Sequence, residues 1–185
     1  MKMFGIKSKA AGKALTVLLC AGILLGMSGC GRITDKKIDE LEDDGYFVEQ
    51  IDNNSICITE DGIEYYFKTG LFKPVLDKAV VTMPSQNERL REEGYEIRIT
   101  ITKKSNNRME LLYEKPAVDT YSTGEENIVT VCYHFEFKND FALESLTNNR
   151  GFDDIAGDYQ ACLNFLSAEE VQRIYDRGLE IEAGL

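Results

Sequence analysis

The sequence predicts an α+β protein with a single domain, in which an antiparallel sheet of about six strands carries helices packed on one face. Two observations favour a sheet. Short runs with alternating apolar and polar residues fill the middle of the chain, and Asp61-Gly62, a strong hairpin signal, separates two of them. A third observation is that helical patterns introduced by capping residues follow the last strand-like run.

The first 30 residues have the parts of a secretory signal. Residues 1–13 carry four lysines and no acid, Ala14–Met27 is uncharged and apolar, and small residues follow. The apolar run has 14 residues, fewer than the roughly 20 that a membrane-crossing helix needs. Extended to Gly31 it has 18, so an uncleaved membrane anchor remains an alternative.

The segment Met27-Ser28-Gly29-Cys30 resembles the lipobox of bacterial lipoproteins. The resemblance implies that residues 1–29 are a signal peptide removed before Cys30, and that Cys30 carries diacylglycerol, with or without an N-acyl chain. Residues 30–34 are then a lipidated tether and 35–185 an extracytoplasmic domain held at the cell membrane. Cys20 is the competing cysteine, but Val17-Leu18-Leu19 offers no small residue before it. No other cofactor is expected.

The charge of the chain excludes some partners. The net charge is −11, and removal of the four signal lysines makes it −15. Such a charge repels polyanions, so nucleic acid is not expected as a partner, and anionic lipid head groups are disfavoured. Three cysteines remain after Cys30: Cys57, Cys132 and Cys162. Their odd number predicts a free thiol or an intermolecular bridge.

The first elements are a short helix and a meander. Thr34 is a candidate cap for a helix through Asp44 that ends at Gly45. Strands are expected at Tyr46–Ile51, Ser55–Thr59 and Ile63–Lys68. The stretch Gly70–Met83 is compatible with either helix or strand.

The central part predicts a second group of strands. Ser85 and Glu88 form a capping box for a short helix, Ser85–Glu93. The predicted strands are Tyr95–Lys103, Met109–Glu114 and Ile128–Lys138, with a polar loop at Pro116–Asn127.

Two helices are expected at the end of the chain. The first lies within Phe152–Leu166, and the second follows the capping box Ser167-Ala168-Glu169-Glu170. Gly178 suits the position after a helix end, which would place Arg173 and Arg177 near the negative end of the helix dipole.

Few residues suggest chemistry. Cys132, His134 and Glu136 share one strand face, but residues two apart on a strand are roughly 6.5–7 Å apart, too far for a catalytic dyad. The polar face of a strand is the favoured interpretation, and no catalytic residue is assigned. Asp153, Asp154 and Asp158 are weak cation candidates without calcium-loop spacing; a helix start explains them better.

The sequence does not specify a reaction or a ligand. The favoured hypothesis is a non-enzymatic binding or interaction module anchored by lipid, with an unknown protein or small-molecule ligand. The alternative is a small extracytoplasmic hydrolase that uses an unrecognised carboxylate or His134. A concave pocket with perturbed pKa values at His134 or the acidic clusters would favour the hydrolase, whereas a flat or ridge-like exposed apolar patch would favour the interaction module.

Overall fold

The computed structural model describes residues 33–71, 73–104, 108–120, 124, 126–137, 143–148 and 155–185. Within these ranges the helices are α1 (Asp35–Asp43), α2 (Glu88–Glu92), α3 (Ile155–Leu163) and α4 (Ala168–Gly184). The strands are β1 (Phe47–Asp52), β2 (Ser55–Glu60), β3 (Ile63–Lys68), β4 (Val75–Pro84), β5 (Glu96–Lys103), β6 (Met109–Thr120), β7 (Glu126–Phe137) and β8 (Leu143–Asn148).

The strands form one antiparallel sheet in which each strand pairs with its neighbours in the sequence, in the order β1 to β8. The prediction of an α+β protein with an antiparallel sheet is confirmed, but six strands was too few, since the described residues form eight. One addition is β4, where neighbouring residues Ala79 and Val80 are each only 1% exposed. A strand buried on both faces loses the alternation that identifies strands in a sequence.

The turn between β2 and β3 has the predicted geometry. Asp61 and Gly62 have φ angles of 52° and 77°, and Glu60 pairs directly with Ile63. Two consecutive positive φ angles are the signature of a type I′ turn, which matches the twist of the flanking strands. This tight turn holds Glu60 and Asp61 in defined positions beside α4.

Strands β6 and β7 extend into the segment that was predicted to be a polar loop. Their pairing begins with Met109 opposite Phe137 and continues to Thr120 opposite Glu126. Pro116 lies opposite Thr130. Strand β5 pairs with β6 only as far as Glu114. Pro116 therefore lies where β6 has a partner on one side only, and a proline, which has no N–H to donate, is tolerated there.

One face of the sheet, the apolar face, supplies most of the core. A row of directly opposed residues runs across this face. Ile58 pairs with Tyr65, Tyr65 with Ala79, Ala79 with Ile101, Ile101 with Leu111, and Leu111 with Phe135. The same cluster contains residues of the helices and the segments that flank them: Ile33, Leu41, Cys162, Leu166, Val171, Ile174 and Ile181. The opposite face, the polar face, includes Cys132, His134 and Glu136 of β7.

The predicted helix starts are partly correct. Thr34 caps α1 and Ser167 caps α4 with its capping box, both as expected. The capping box predicted at Ser85 is wrong: Asn87 caps α2, which begins at Glu88. Ser85 is buried, and its Oγ accepts a hydrogen bond from the N–H of Asn87. Its side chain therefore supports the cap residue instead of acting as the cap.

Helix α4 does not end at Gly178, as the sequence had suggested, but continues to Gly184. A Cβ atom at position 178 would lie 2.8 Å from Cδ2 of Leu76 and 3.2 Å from Cδ1 of Tyr65. Helix α4 approaches β3 and β4 so closely at this point that a side chain would not fit. This steric requirement outweighs the helix propensity that glycine costs. Arg173 and Arg177 consequently lie inside the helix, away from its C-terminal dipole.

The C-terminal end of α4 is tied to the sheet by Glu182. Its Oε2 accepts a hydrogen bond of 2.7 Å from the backbone N–H of Leu76, and it lies 3.0 Å from Nζ of Lys103. The side chain of Glu182 is only 12% exposed. These contacts fix the position of α4 relative to β4 and β5, and with it one wall of the groove described below.

Candidate functional site

An open groove of about 970 Å³ lies between α4 and the turn that joins β2 to β3. One wall is a stripe along α4, from Ala168 and Glu169 to Glu180, the other is formed by Glu60 and Asp61, and Ile63 and Tyr65 lie at the floor. Residues four apart on a helix share a face, which is why Ala168, Gln172, Asp176 and Glu180 line the groove together. The stripe is about 18 Å long at the rise of an α-helix.

Arg177 joins the two walls. Its Nε and Nη2 each donate a hydrogen bond of 2.7 Å to the carboxylate of Glu60, and its Nη1 donates one of 2.9 Å to Glu180. The hydrogen bonds from Arg177 lower the pKa of Glu60, and those to Glu60 and Glu180 raise the pKa of Arg177. A two-point contact of this kind also fixes the orientation of both side chains.

The charge of the groove is negative. Five carboxylates line it, those of Glu60, Asp61, Glu169, Asp176 and Glu180, against the two guanidinium groups of Arg173 and Arg177. Arg177 is already neutralised by Glu60 and Glu180. Within the described residues, the hydrogen bond to Oδ1 of Asp176 comes from an uncharged group, the Nε2 of Gln172, at 2.6 Å.

The floor of the groove adds apolar surface. Tyr65 is almost fully buried and Ile63 is half-buried. Burial, assisted by the charge of Glu60, raises the pKa of the Tyr65 hydroxyl to about 12. Tyr65 thus stays neutral at physiological pH, and the groove combines a neutral floor with a negatively charged rim.

The three residues singled out on β7 lie together on the polar face, as predicted. Burial, assisted by the charge of Glu114, raises the pKa of the Cys132 thiol, which disfavours the thiolate that a nucleophile requires. His134 instead approaches Glu110 of β6, with 3.5 Å between Nε2 and Oε1. His134 does not line the groove.

Most of the remaining sequence-based candidates fall on residues that are not described. Cys30, Asp153 and Asp154 are outside the described ranges; the backbone of Asp158 belongs to α3. Within the described residues, Cys57, Cys132 and Cys162 form no disulfide bond. Within the part of the chain that the structure describes, no helix has both the length and the apolar content needed to cross a bilayer.

Sequence reasoning missed the groove because its walls are far apart in the chain. Glu60 and Arg177 are 117 residues apart. The sequence offered one signal, the polar series Gln172, Asp176 and Glu180 at a spacing of four residues, but this pattern also describes an ordinary solvated helix face. Glu110 was missed for a related reason, because its position opposite Glu136 depends on strand register.

Comparisons of the chain with protein-family models, curated proteins and solved structures found no significant match.

Proposed function

We propose that this protein is a lipid-anchored, extracytoplasmic binding module without catalytic activity, and that its groove beside α4 holds a basic peptide segment. The observation that carries the proposal is the groove itself, which has an excess of three negative charges on its rim. Negative potential in a concave site attracts and orients cationic ligands.

The size and shape of the groove favour a peptide over a small ion. An α4 stripe of about 18 Å matches five or six residues of extended chain at roughly 3.3 Å each. The half-buried Ile63 offers a contact for apolar side chains between basic ones. The paired Glu60 and Arg177 make the site rigid, which reduces the entropy lost when a ligand binds.

Loss of groove carboxylates is expected to weaken peptide binding. The double variant Glu169→Gln, Asp176→Asn should bind the peptide Lys-Leu-Lys-Leu-Lys amide about tenfold more weakly than wild type, equivalent to about 1.4 kcal/mol, because two attractive charges are lost. Isothermal titration calorimetry of the full-length chain in non-ionic detergent measures this affinity.

The matched control removes the same two charges elsewhere. Glu42 and Asp43 are exposed residues of α1 that do not line the groove, so Glu42→Gln, Asp43→Asn should retain wild-type affinity. Equal weakening in both double variants would assign binding to net charge and contradict the groove. Binding of Glu-Leu-Glu-Leu-Glu amide with similar affinity would contradict the preference for basic peptides.

The anchor is proposed from the lipobox-like segment. Two acyl chains on Cys30 would give stable membrane attachment where a single chain does not. Ile33 is buried in the core, so only Gly31 and Arg32 would separate the lipidated Cys30 from the folded domain, a reach of at most about 10 Å over three residue steps. We also infer that the helices together cover the apolar face, which leaves the polar face towards solvent.

Replacing Cys30 with alanine is expected to abolish lipidation and cleavage, so that the variant keeps the mass of the uncleaved, unmodified chain. Wild type should enter the detergent-rich phase with a mass that corresponds to residues 30–185 plus the lipid. A Cys20→Ala variant is the control and should behave like wild type. An intact, unmodified N-terminus in wild type from native membranes would refute the anchor.

A further inference from the structure

We propose that Glu110, His134 and Glu136 form a binding site for a divalent transition-metal ion on the polar face of the sheet. One potential ligand atom of each residue lies within 4.8 Å of those of the other two. The site is separate from the groove, and nothing in the peptide-binding proposal requires it. It departs from the sequence-based expectation that the chain has no cofactor other than lipid.

The register of β6 and β7 creates this cluster. Glu110 pairs directly with Glu136, and Leu112 pairs with His134. Because side chains on one strand face recur every two residues, His134 lies diagonally across from Glu110 and beside Glu136. Two carboxylates and the single imidazole of the chain thus converge from two rigid strands.

The distances suit a metal ion better than a direct contact. Nε2 of His134 lies 3.5 Å from Oε1 of Glu110, beyond the usual range of a hydrogen bond. Two ligands of a tetrahedral zinc ion, at about 2.1 Å from the metal, are roughly 3.4 Å apart. The imidazole and the carboxylate are therefore close to the spacing that a shared ion would impose.

The electrostatics of the polar face also favour a cation here. Directly opposed carboxylates such as Glu110 and Glu136 repel each other across a strand pair. Lys104 partly offsets this repulsion, with its Nζ 2.6 Å from Oε2 of Glu110. Because Oε2 of Glu110 contacts Lys104, Oε1 of Glu110, which contacts His134, is the oxygen that would bind the proposed ion.

The ligand set defines the chemical class of the ion. Imidazole nitrogen with carboxylate oxygens suits zinc and neighbouring divalent metals of the first transition row, whereas calcium prefers oxygen ligands alone. Three protein ligands leave positions for water. The three side chains are all half-buried, so we expect affinity in the micromolar range and a clamp between β6 and β7.

Zinc chloride is the probe for this proposal. The untagged full-length chain, treated with a chelator and dialysed in detergent, should bind one zinc ion per chain in calorimetry. His134→Gln and Glu136→Gln should each weaken binding at least tenfold. Glu49→Gln is the control, since it removes one carboxylate from distant β1 and should bind like wild type.

A second readout covers variants that fold poorly. His134 is the only histidine of the chain, so its ring signals in the NMR spectrum of wild type report on this site alone. They should shift with saturable dependence on zinc. Unshifted ring signals, no heat in wild type, or equal binding by wild type and His134→Gln would overturn the proposal.

Discussion

Replacing Phe135 with alanine is expected to lower the free energy of unfolding by about 4 kcal/mol, in the range of large-to-small changes at buried aromatic positions. Phe135 has no exposed surface and lies near the C-terminal end of β7 on the apolar face. Its ring is 5.9 Å from that of Tyr113 and 5.6 Å from that of Tyr159 on α3. The variant would leave a cavity where sheet and helix meet.

Urea unfolding of the full-length chain, followed by the near-ultraviolet circular dichroism of its tyrosines, measures this loss. Phe47→Ala is the matched control, because Phe47 is 69% exposed on β1. It should change stability by less than about 0.5 kcal/mol. Similar losses in the two variants would show that the core is not where the structure places it.

Replacing Gly178 with leucine is expected to destabilise the fold by about 3 kcal/mol, the upper part of the range for overpacked cores. The new side chain would have to displace Leu76 and the ring of Tyr65, both of which are buried. This cost opposes the better helix propensity of leucine, worth about 1 kcal/mol relative to glycine. Since Tyr65 lines the groove, peptide affinity should fall as well.

Gly184→Leu is the control in the same helix. A Cβ atom there would have no neighbour within 4 Å, so the stability should change by less than about 0.5 kcal/mol. A Gly178→Leu variant as stable as wild type would mean that α4 is not in close contact with β3 and β4. The same unfolding assay measures both variants.

Local patterns predicted the parts of the fold that local chemistry determines. The Asp61-Gly62 turn, the caps at Thr34 and Ser167, and the apolar face of β7 all depend on residues within a few positions of each other. The apolar residues Val131, Tyr133, Phe135 and Phe137 alternate in the sequence, and all four are buried. Alternation is a direct consequence of the strand period.

The incorrect predictions concern residues whose surroundings come from distant parts of the chain. Gly178 resembles a helix stop in the sequence, and only Leu76 and Tyr65 explain it within a helix. Pro116 resembles a loop residue, and its place in a strand depends on where β5 ends. Neither Leu76 nor the end of β5 can be assigned to these positions from spacing alone.

The candidate sites follow the same rule. The sequence identified the shared face of Cys132, His134 and Glu136, because that face depends on one strand. It did not identify Glu110, whose contact with His134 requires the β6–β7 register, or the pairing of Arg177 with Glu60, which requires the packing of α4 beside β2 and β3. Both candidate sites therefore depend on tertiary contacts that carry no local signal.

The most direct test of the central claim, that the groove beside α4 is the peptide site, is methyl NMR of the full-length chain labelled at isoleucine. Ile63 lines the groove, whereas Ile51 is an exposed residue of β1 that does not. Adding Lys-Leu-Lys-Leu-Lys amide should shift the methyl signal of Ile63 in a saturable way and leave that of Ile51 unchanged. An unperturbed Ile63 at saturating peptide, or equal shifts at both positions, would contradict the account.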